Sequence, residues 1–286
     1  MKQVSQVAQL KQEIAEARAN GKRIAFVPTM GALHDGHLSL VDQVRSEDNF
    51  VIASIFVNPL QFNDPSDYEN YPQSLGVDAR LLSDRGVDVL FLPEPETIYP
   101  DEPNLITPED IETNVSLRLE GEYRPGHFTG VLTVVSRLFD LVTPDMAAFG
   151  KKDAQQLALI RSLVSHQLAS GRRMPLKIIA GETIRDDYGL ALSSRNARLN
   201  SEQLEIARTI NVALDSCDGK ENVEEAVETA RAMLSDEIKL DYLEIVDPAT
   251  FEPVSRDYEG SAIALFAGYV GQVRLIDNRE ISIKGS

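Results

Sequence analysis

Two histidines three residues apart, His34 and His37, occupy the segment MGALHDGHLS (30–39), which directly follows the apolar run RIAFVPT. Gly31 and Gly36 flank the first histidine. A helix that begins here would offer unpaired backbone N–H groups and the positive end of its dipole, both of which favour an anion. Imidazole N–H groups also donate hydrogen bonds to phosphate oxygens. These residue types suit a phosphate-binding turn, a metal site or an ordinary polar turn.

The phosphate-binding interpretation is favoured over the other two. A zinc site needs further ligands, only His127 and His166 remain among the histidines, and the spacing matches no zinc motif such as H-E-x-x-H. Glycines at a strand-to-helix switch let the backbone approach phosphates closely, and Gly36 is expected to adopt a conformation closed to other residues. A surface turn that merely carries two histidines remains the alternative.

The elements that must position this segment show a regular alternation from residue 23 to about 180. Near-continuous apolar strands that alternate with helices predict a parallel sheet covered on both faces. Ligands in such folds bind beyond the carboxyl ends of the strands, so PTMGALHDGH, NPLQF and GKKDAQQ are expected on one rim. The predicted strands cover 23–28, 50–57, 87–93, 146–150 and 176–180, and the predicted helices lie near 37–47, 73–85, 130–142 and 153–170.

The rest of the chain does not follow this alternation. The proline-rich segment 93–128 is expected to be an extended excursion with one short strand pair. The sequence therefore predicts a Rossmann-like α/β domain with helices on both faces (1–181), followed by a smaller α+β C-terminal domain (182–286). The C-terminal domain is predicted from helices near 201–215 and 221–237 and strands at 239–247 and 261–270.

The composition excludes several classes of protein. With 28 Lys and Arg against 45 Asp and Glu, the net charge is −17, and no basic run offers a local patch for a nucleic-acid backbone. No apolar stretch approaches the roughly 20 residues that cross a bilayer, and the N-terminal pattern lacks the apolar region of a signal peptide. The single cysteine, Cys217, leaves no disulfide framework. We therefore expect a cytoplasmic protein with neither nucleic-acid nor membrane partners.

Five motifs in order resemble one known family. The pattern H-x-G-H after the first strand resembles the HIGH-type signature of the nucleotidyltransferase superfamily, and the longer VPTMGALHDGH is similar to the pantothenate synthetase (pantoate–β-alanine ligase) family. The resemblance continues through SIFVNPLQF (54–62), EGEYRPGHFTGV (120–131), FGKKDAQQLALIR (149–161) and LALSSRN (190–196). RLIDN (274–278) extends it near the end of the chain. Such an ordered set is far more specific than H-x-G-H alone.

The resemblance implies an AMP-forming carboxylate–amine ligase. In the implied reaction the pantoate carboxylate attacks the α-phosphorus of ATP and releases pyrophosphate, and the β-alanine amine then attacks the acyl adenylate and releases AMP. Such chemistry depends on in-line positioning and on neutralising charge on phosphate oxygens. The resemblance further implies Mg²⁺ bound with ATP, no organic cofactor and a homodimer. No metal ligands are assigned from the sequence.

The resemblance also assigns roles to residues. His34, His37 and Lys152 are expected to stabilise the adenylation transition state, with a protonated His37 donating a hydrogen bond to the phosphate under attack. The expected pantoate and β-alanine ligands are Gln61, Gln156 and Asn58, with Arg124 and His127 as second-rank candidates. The expected ATP ligands are Met30, Gly31, Ala32, Leu33, His34, Asp35, Gly36, His37, Gly150, Lys151, Lys152, Asp153, Ile184, Leu192, Ser193, Ser194 and Arg195.

Simpler interpretations of some of these residues remain open. Lys151 is expected to face solvent, and Asp153 suits a helix cap. Gln61 also fits an ordinary strand-end turn, and LSSRN fits a plain loop with an N-cap before the helix at 201–215. Ala154 departs from the family pattern, in which an aromatic residue is expected. Two rival functions also remain: a superfamily member that adenylates a different small acid, and a non-catalytic module that senses ATP.

Overall fold

The computed structural model describes residues 1–63 and 65–285, and the chain divides into two compact units. Within those ranges, no helix combines the length and the apolar character that crossing a bilayer requires. The units are Met1–Lys151 with Gln156–Glu182 (unit 1) and Lys152–Gln155 with Thr183–Ser286 (unit 2).

Unit 1 is built on a six-stranded parallel sheet in the order β1-β4-β3-β2-β5-β6. Its inner strands are apolar for most of their length, and in β2 the four residues from Ile24 to Val27 are fully buried. The strand order reverses between β2 and β5, and such a reversal is where open α/β sheets bind ligands. The strands are β1 (Lys2–Val4), β2 (Arg23–Thr29), β3 (Asn49–Ile55), β4 (Val89–Phe91), β5 (Met146–Gly150) and β6 (Lys177–Gly181).

Helices cover both faces of this sheet. On one face Val27 packs in a cluster with Val41 of α2 and Leu82 of α4. On the other face Phe26 makes an edge-on contact with Phe139 of α7, with ring centroids 6.5 Å apart. The predicted Rossmann-like α/β architecture is therefore confirmed. The helices are α1 (Val7–Ala19), α2 (Asp35–Val44), α3 (Pro65–Glu69), α4 (Leu75–Asp84), α5 (Pro95–Ile98), α6 (Glu120–Tyr123), α7 (His127–Val142) and α8 (Ala154–Ala169).

The segment 93–128 differs from its prediction. All of these residues are described, and they form the short helices α5 and α6 and a 3-10 turn at Glu109–Ile111, with no strand pair. Proline explains the difference because it lacks the N–H that a β ladder needs, whereas Pro95 suits the first turn of α5. The sheet also contains β1, which was not predicted because three residues are too few to show a pattern.

Unit 2 contains a three-stranded antiparallel sheet in the order β7-β8-β9, packed with α9 and α10. Its core joins Ile210 and Leu214 of α9, Ala226 of α10 and Phe266 of β8. The predicted α+β class is confirmed, but β9 was not predicted because the polar run DNRE (277–280) interrupts its alternation. The elements are α9 (Ser201–Asp215), α10 (Val223–Met233), β7 (Ile238–Val246), β8 (Gly260–Val270) and β9 (Val273–Ile283).

Candidate active site

His34 and His37 lie at the N-terminus of α2, beyond the carboxyl end of β2. His34 is the N-cap, and its Nδ1 accepts a hydrogen bond from the Gly36 backbone N–H at 3.2 Å. The Nδ1 of His37 accepts in turn from the His34 backbone N–H at 3.4 Å, and the ring centroids are 4.1 Å apart. The two half-buried histidines thus form a capping box, a pairing usually made by Ser or Thr with Glu or Gln.

These hydrogen bonds define which ring nitrogen carries the proton. A ring nitrogen that accepts a backbone N–H carries no proton, so a neutral imidazole in this arrangement is protonated on Nε2. Both His34 and His37 therefore present an Nε2–H donor at a helix N-terminus. A protonated His37 would have to give up the hydrogen bond from the His34 backbone N–H, and its protonation during the reaction stays a prediction.

The two glycines of this loop serve different purposes. Gly31 has a φ of +82° and Ala32 a φ of +48°, so the left-handed backbone lies at these positions. Gly36 is helical, and the expectation that it adopts a conformation closed to other residues is wrong. It provides space instead, because a Cβ at position 36 would lie 2.8 Å from Cε1 of His34. The glycine of H-x-G-H thus makes room for the first histidine ring.

Asp78 of α4 holds the loop that leads into α2. Asp78 is 1% exposed, and its two carboxylate oxygens accept hydrogen bonds from the backbone N–H groups of Ala32 and Leu33 at 2.9 Å each. The Ser74 hydroxyl donates to the same carboxylate at 3.0 Å. Hydrogen bonds of this kind compensate the burial of a charged group. Asp78 was not predicted, because it stands in an ordinary helical pattern 46 residues beyond Ala32.

Asn58 lies after β3 and orients Gln61. It is 1% exposed, and its Nδ2 donates to the Gln61 Oε1 and the Gly130 carbonyl at 3.1 Å each. Its Oδ1 accepts from the Leu60 backbone N–H at 3.3 Å and from the Tyr99 hydroxyl at 2.9 Å. Burial raises the pKa of Tyr99, which keeps this hydroxyl protonated as a donor. Because both polar atoms of the Asn58 amide are bonded, the amide fixes the orientation of Gln61.

Gln61 is held by three further side chains. Its Nε2 lies 3.0 Å from the Met30 sulfur. The His127 Nδ1 lies 2.8 Å from the Gln61 carbonyl oxygen, and the Arg124 Nη1 lies 3.1 Å from the His127 Nε2. Since the carbonyl accepts and the guanidinium donates, the His127 ring is neutral with its proton on Nδ1. Arg124 also pairs with the buried Glu120 at 3.3 Å. Arg124 and His127 thus support the main chain of Gln61, and their contact with substrate stays a prediction.

The GKKD motif begins where β5 ends. Gly150 is the last residue of β5, which is the neighbour of β2 at the reversal of strand order. Lys151 is partly exposed, and its Nζ forms an ion pair with the exposed Glu182 at 2.7 Å, which is compatible with the expected solvent-facing position. Gln156 is half-buried in the first turn of α8. The carboxyl edge of the sheet in unit 1 thus carries both the histidine loop and the start of this motif.

Unit 2 holds Ile184 and the LSSRN motif. The Leu192 backbone N–H donates to the Ile184 carbonyl at 2.9 Å, so the two residues are neighbours. Ser193 caps the 3-10 turn that follows, and its Oγ accepts the Arg195 backbone N–H at 3.2 Å. The next helix, α9, has its own N-cap at Asn200. The N-cap of α9 is therefore Asn200 and not a residue of LSSRN, and a plain loop remains an alternative interpretation of LSSRN.

Lys152 and Asp153 also belong to unit 2. The Lys152 carbonyl accepts a hydrogen bond of 2.7 Å from the Asn278 side chain. Asn278 was not assigned a role from the sequence, although the RLIDN motif that contains it was recognised. The structure therefore brings together His34 with His37, Met30 with Gln61, and Ile184 with Leu192, each pair within its own unit.

The arrangement at α2 is suited to phosphate chemistry. Two Nε2–H donors at a helix N-terminus can bind a phosphate and stabilise negative charge that builds on its oxygens. Among residues 1–63 and 65–285, no group of three or more His, Cys, Asp or Glu side chains is placed to hold a metal ion. The two ring donors and the positive end of the helix dipole at this position favour an anion.

Comparisons with known sequences point to one family. The family model described as pantoate-beta-alanine ligase matches residues 2–280. The chain is 45% identical to the pantothenate synthetase of Corynebacterium glutamicum (strain R), over 96% of this chain and 100% of that relative. It is 43% identical to the pantothenate synthetase of Thermobifida fusca (strain YX), over 97% of this chain and 96% of that relative.

Solved structures agree with these sequence matches. The pantothenate synthetase of Thermus thermophilus superposes with a TM-score of 0.87 at 41% identity, covering 99% of this chain and 100% of that one. The pantoate-beta-alanine ligase of Francisella tularensis, solved with beta-gamma ATP and beta-alanine, gives a TM-score of 0.79 at 38% identity, covering 98% and 97%. Because the family model matches residues 2–280 and the relatives cover nearly the whole chain at above 40% identity, the chain belongs to the pantoate–β-alanine ligase family.

Proposed function

We propose that this protein joins pantoate to β-alanine with ATP, forming pantothenate, AMP and pyrophosphate. The observation that carries the proposal is the His34–His37 capping box, which provides two Nε2–H donors at the N-terminus of α2. Donors that are in position before the reaction stabilise charge as it develops on a phosphate. Family membership supports the substrates, as does the Francisella tularensis relative that was solved with beta-gamma ATP and beta-alanine.

The proposed reaction has two steps through a pantoyl adenylate. A pantoate carboxylate oxygen first attacks the α-phosphorus and pyrophosphate leaves, while His34 and His37 donate to phosphate oxygens and Lys152 adds a compact positive charge. Gln61 and Gln156 supply amide donors and acceptors that pair with the pantoate hydroxyls and carboxylate. The β-alanine amine then attacks the acyl carbonyl, AMP leaves, and the amine proton passes to solvent.

The remaining assignments follow the same scheme. ATP binding is assigned to 30–37, to Gly150–Asp153, to Ile184 and to Leu192–Arg195, and Asn58 supports the pantoate site through Gln61. Unit 1 contains most of the domain proposed for nucleotide and pantoate (1–181), and unit 2 most of the domain proposed to cover the substrates (182–286). The hydrogen bonds of Asn58 and Ser193 support these assignments because they fix the candidate segments.

Mg²⁺, a homodimer and a cytoplasmic location complete the proposal. Mg²⁺ keeps water ligands and binds phosphate oxygens with one or two carboxylates, which suits a described chain without a carboxylate cluster. When bound, it would neutralise charge on the ATP phosphates. The family resemblance supports the dimer, and the single thiol supports a reducing compartment. Light scattering after size exclusion tests the dimer, which would have twice the chain mass of 31.6 kDa.

The deciding experiment measures AMP release from ATP by the purified protein. Release is expected only when pantoate and β-alanine are both present, and pantoate alone should support exchange of labelled pyrophosphate into ATP. Exchange with another small acid but not with pantoate would favour a different adenylating enzyme. ATP binding without AMP release in the presence of both substrates would favour an ATP-sensing module.

A further inference from the structure

Asp277 and Asn278 are buried polar residues in the middle of β9. They are 4% and 8% exposed, and they belong to the RLIDN motif, to which the proposed reaction assigns no role. A buried carboxylate and a buried amide are unfavourable unless their polar atoms are bonded. The partners of these two side chains therefore show what the motif holds in place.

Asn278 holds the main chain of Lys152. Its Nδ2 donates to the Lys152 carbonyl at 2.7 Å, across 126 residues of sequence. Both residues belong to unit 2, so this contact lies inside one compact body. A hydrogen bond at the carbonyl fixes the backbone from which the Lys152 ammonium group extends. Asn278 therefore restrains the position of a lysine that the proposed reaction places on phosphate.

Asp277 and Arg185 hold Asn278 in turn. The Asp277 carboxylate forms two parallel hydrogen bonds with the Arg185 guanidinium, at 2.6 and 3.0 Å. Asp277 also accepts the Asn278 backbone N–H at 2.8 Å, and Arg185 donates to the Asn278 carbonyl at 3.1 Å. The backbone N–H and carbonyl of Asn278 are thus hydrogen-bonded by the two members of one bidentate ion pair, an arrangement with a well-defined geometry.

Arg185 of this ion pair also contacts the segment between two other ATP-binding candidates, Ile184 and the LSSRN motif. Arg185 follows Ile184 directly and pairs with Ala191 in an isolated antiparallel bridge. It also donates to the Gly189 carbonyl at 3.1 Å, which ties the turn between Ile184 and the LSSRN motif to β9. The RLIDN motif therefore connects the candidate ATP segments of unit 2 through side chains that need not touch ATP.

A second ion pair lies close to Asp277 in the same sheet. Arg274 of β9 pairs with Asp241 of β7 at 2.8 Å, and the two side chains are 15% and 12% exposed. This pair joins two strands of the same sheet. It is similarly buried and only three residues from Asp277, so it serves as a matched control.

We propose that Asn278 is a positioning residue for Lys152 in the adenylation step, and that the Asp277–Arg185 pair holds Asn278 in place. The inference rests on the proposed function. Without Asn278 the Lys152 backbone shifts, and a misplacement of about 1 Å can lower a rate by about 100-fold. Pantoate affinity is expected to stay the same, because both proposed pantoate glutamines, Gln61 and Gln156, lie in unit 1 and not with Lys152 in unit 2.

The test measures pantoate-dependent exchange of pyrophosphate into ATP for the full-length protein. Asn278→Ala is expected to lower kcat by about 10- to 100-fold with an unchanged KM for pantoate. In a Lys152→Ala background the same substitution is expected to change kcat by less than about 2-fold, because interacting residues are not additive. Asn278→Asp has the same shape but sets a carboxylate against the Lys152 carbonyl, and it should lose at least as much.

Controls separate positioning from general destabilisation. Asp241→Asn breaks the matched ion pair and is expected to keep kcat, and thermal melting reports whether each variant folds. Unchanged kcat in Asn278→Ala and Asn278→Asp, additive losses in the double variant, or an equal loss in Asp241→Asn would each overturn the inference. If the wild-type protein shows no pantoate-dependent exchange, the proposed function fails first. If the wild type turns over but the cycle is additive, only the positioning role fails.

Discussion

Two regions carry the residues proposed to act on ATP, and they are held in different ways. In unit 1 the rings of His34 and His37 are oriented by backbone N–H groups at most three residues away. In unit 2 the main chain of Lys152 is held by Asn278, 126 residues further along the chain. One region follows the local rules of helix capping, whereas the other depends on a strand that folds far from it in sequence.

The difference teaches which substitutions reach the chemistry. On the histidine loop, a substitution removes a phosphate donor or its cap directly. On β9, a substitution of Asn278 is expected to change the position of Lys152 without removing any group that contacts ATP in the proposed scheme. Asp78 shows that the histidine loop also has one long-range restraint, since it holds the Ala32 and Leu33 backbone from another helix. Three predictions separate these contributions.

Replacement of His37 should have the largest effect, because it removes a donor itself. His37→Ala loses both the Nδ1 acceptor of the capping box and the Nε2–H, so kcat of pantothenate formation should fall by roughly 100- to 1,000-fold. His37→Asn keeps an acceptor near the position of Nδ1 but has no group at Nε2. Steady-state kinetics and thermal melting of the two variants separate capping from catalysis.

The two His37 variants should agree in activity and differ in stability. His37→Ala is expected to lose about 1 kcal/mol of folding free energy with the cap, whereas His37→Asn retains most of it. His166→Ala, in the middle of α8, is the control and should leave kcat unchanged. Near-normal turnover in His37→Asn would mean that the ring acts only as a cap, which contradicts the proposed role.

Asp78→Asn should have a smaller effect, because it acts on the histidine loop from a distance. The amide has the shape of the carboxylate, but its NH₂ group would face the backbone N–H of Ala32 or Leu33. Loss of one buried acceptor costs about 1 to 3 kcal/mol of stability, and we expect kcat to fall by roughly 10-fold as the loop shifts.

Ser74→Ala is the matched control for this prediction. It removes the third donor to the Asp78 carboxylate and leaves both backbone hydrogen bonds in place, so kcat should change by less than about 2-fold. Calorimetry and steady-state kinetics measure the two effects. A folded Asp78→Asn variant with wild-type kcat would show that the capping box alone orients the histidines.

The parts of the fold that could be predicted are those set by residues close in sequence. The buried runs of β2 and β3 and the histidines at a strand-to-helix switch are patterns within ten residues, so they predicted the sheet and placed the histidine turn at its carboxyl edge, while phosphate binding by this turn stays a prediction. The sequence identified the glycine of H-x-G-H, but it did not show why a glycine is needed at this position. Only the His34 ring packed over Gly36 shows that the glycine provides space.

The parts that could not be predicted depend on contacts between distant residues. Asp78 has no local signal, and the RLIDN motif marks Asn278 without showing what it bonds, because the partners of these two residues lie 46 and 126 residues away. β9 was missed because its polar residues Asp277 and Asn278 break the alternation, and they are polar because they bond Arg185 and Lys152. Arg124 was assigned to substrate from the motif, while its partners, Glu120 and His127, emerged only in the structure.

The last prediction concerns unit 2 alone and has no effect on activity. Cys217 is fully buried beside the Ala213 and Ala226 carbonyls, and burial raises the pKa of its thiol from 9.0 to about 11. The thiolate fraction of the folded protein at pH 8 is therefore about 100-fold lower than that of an exposed thiol. Alkylation of the native protein should be correspondingly slow and should become fast on unfolding in urea.

The same shift makes the stability of unit 2 sensitive to base. The unfolded thiol ionises near pH 9 and the folded one near pH 11, so this group favours unfolding increasingly as the pH rises between these values and adds no pH dependence below them. Hydrogen exchange should show α9 and β8 losing protection between pH 9 and 11 more in the wild type than in Cys217→Ala, with β2 and α2 alike in both. Equal losses in the two proteins would mean that other groups cause the change. Losses of protection in β2 as large as those in β8 would mean that the two units unfold together. The histidine loop and the Lys152 segment would then have the same free energy of unfolding, although different contacts hold them.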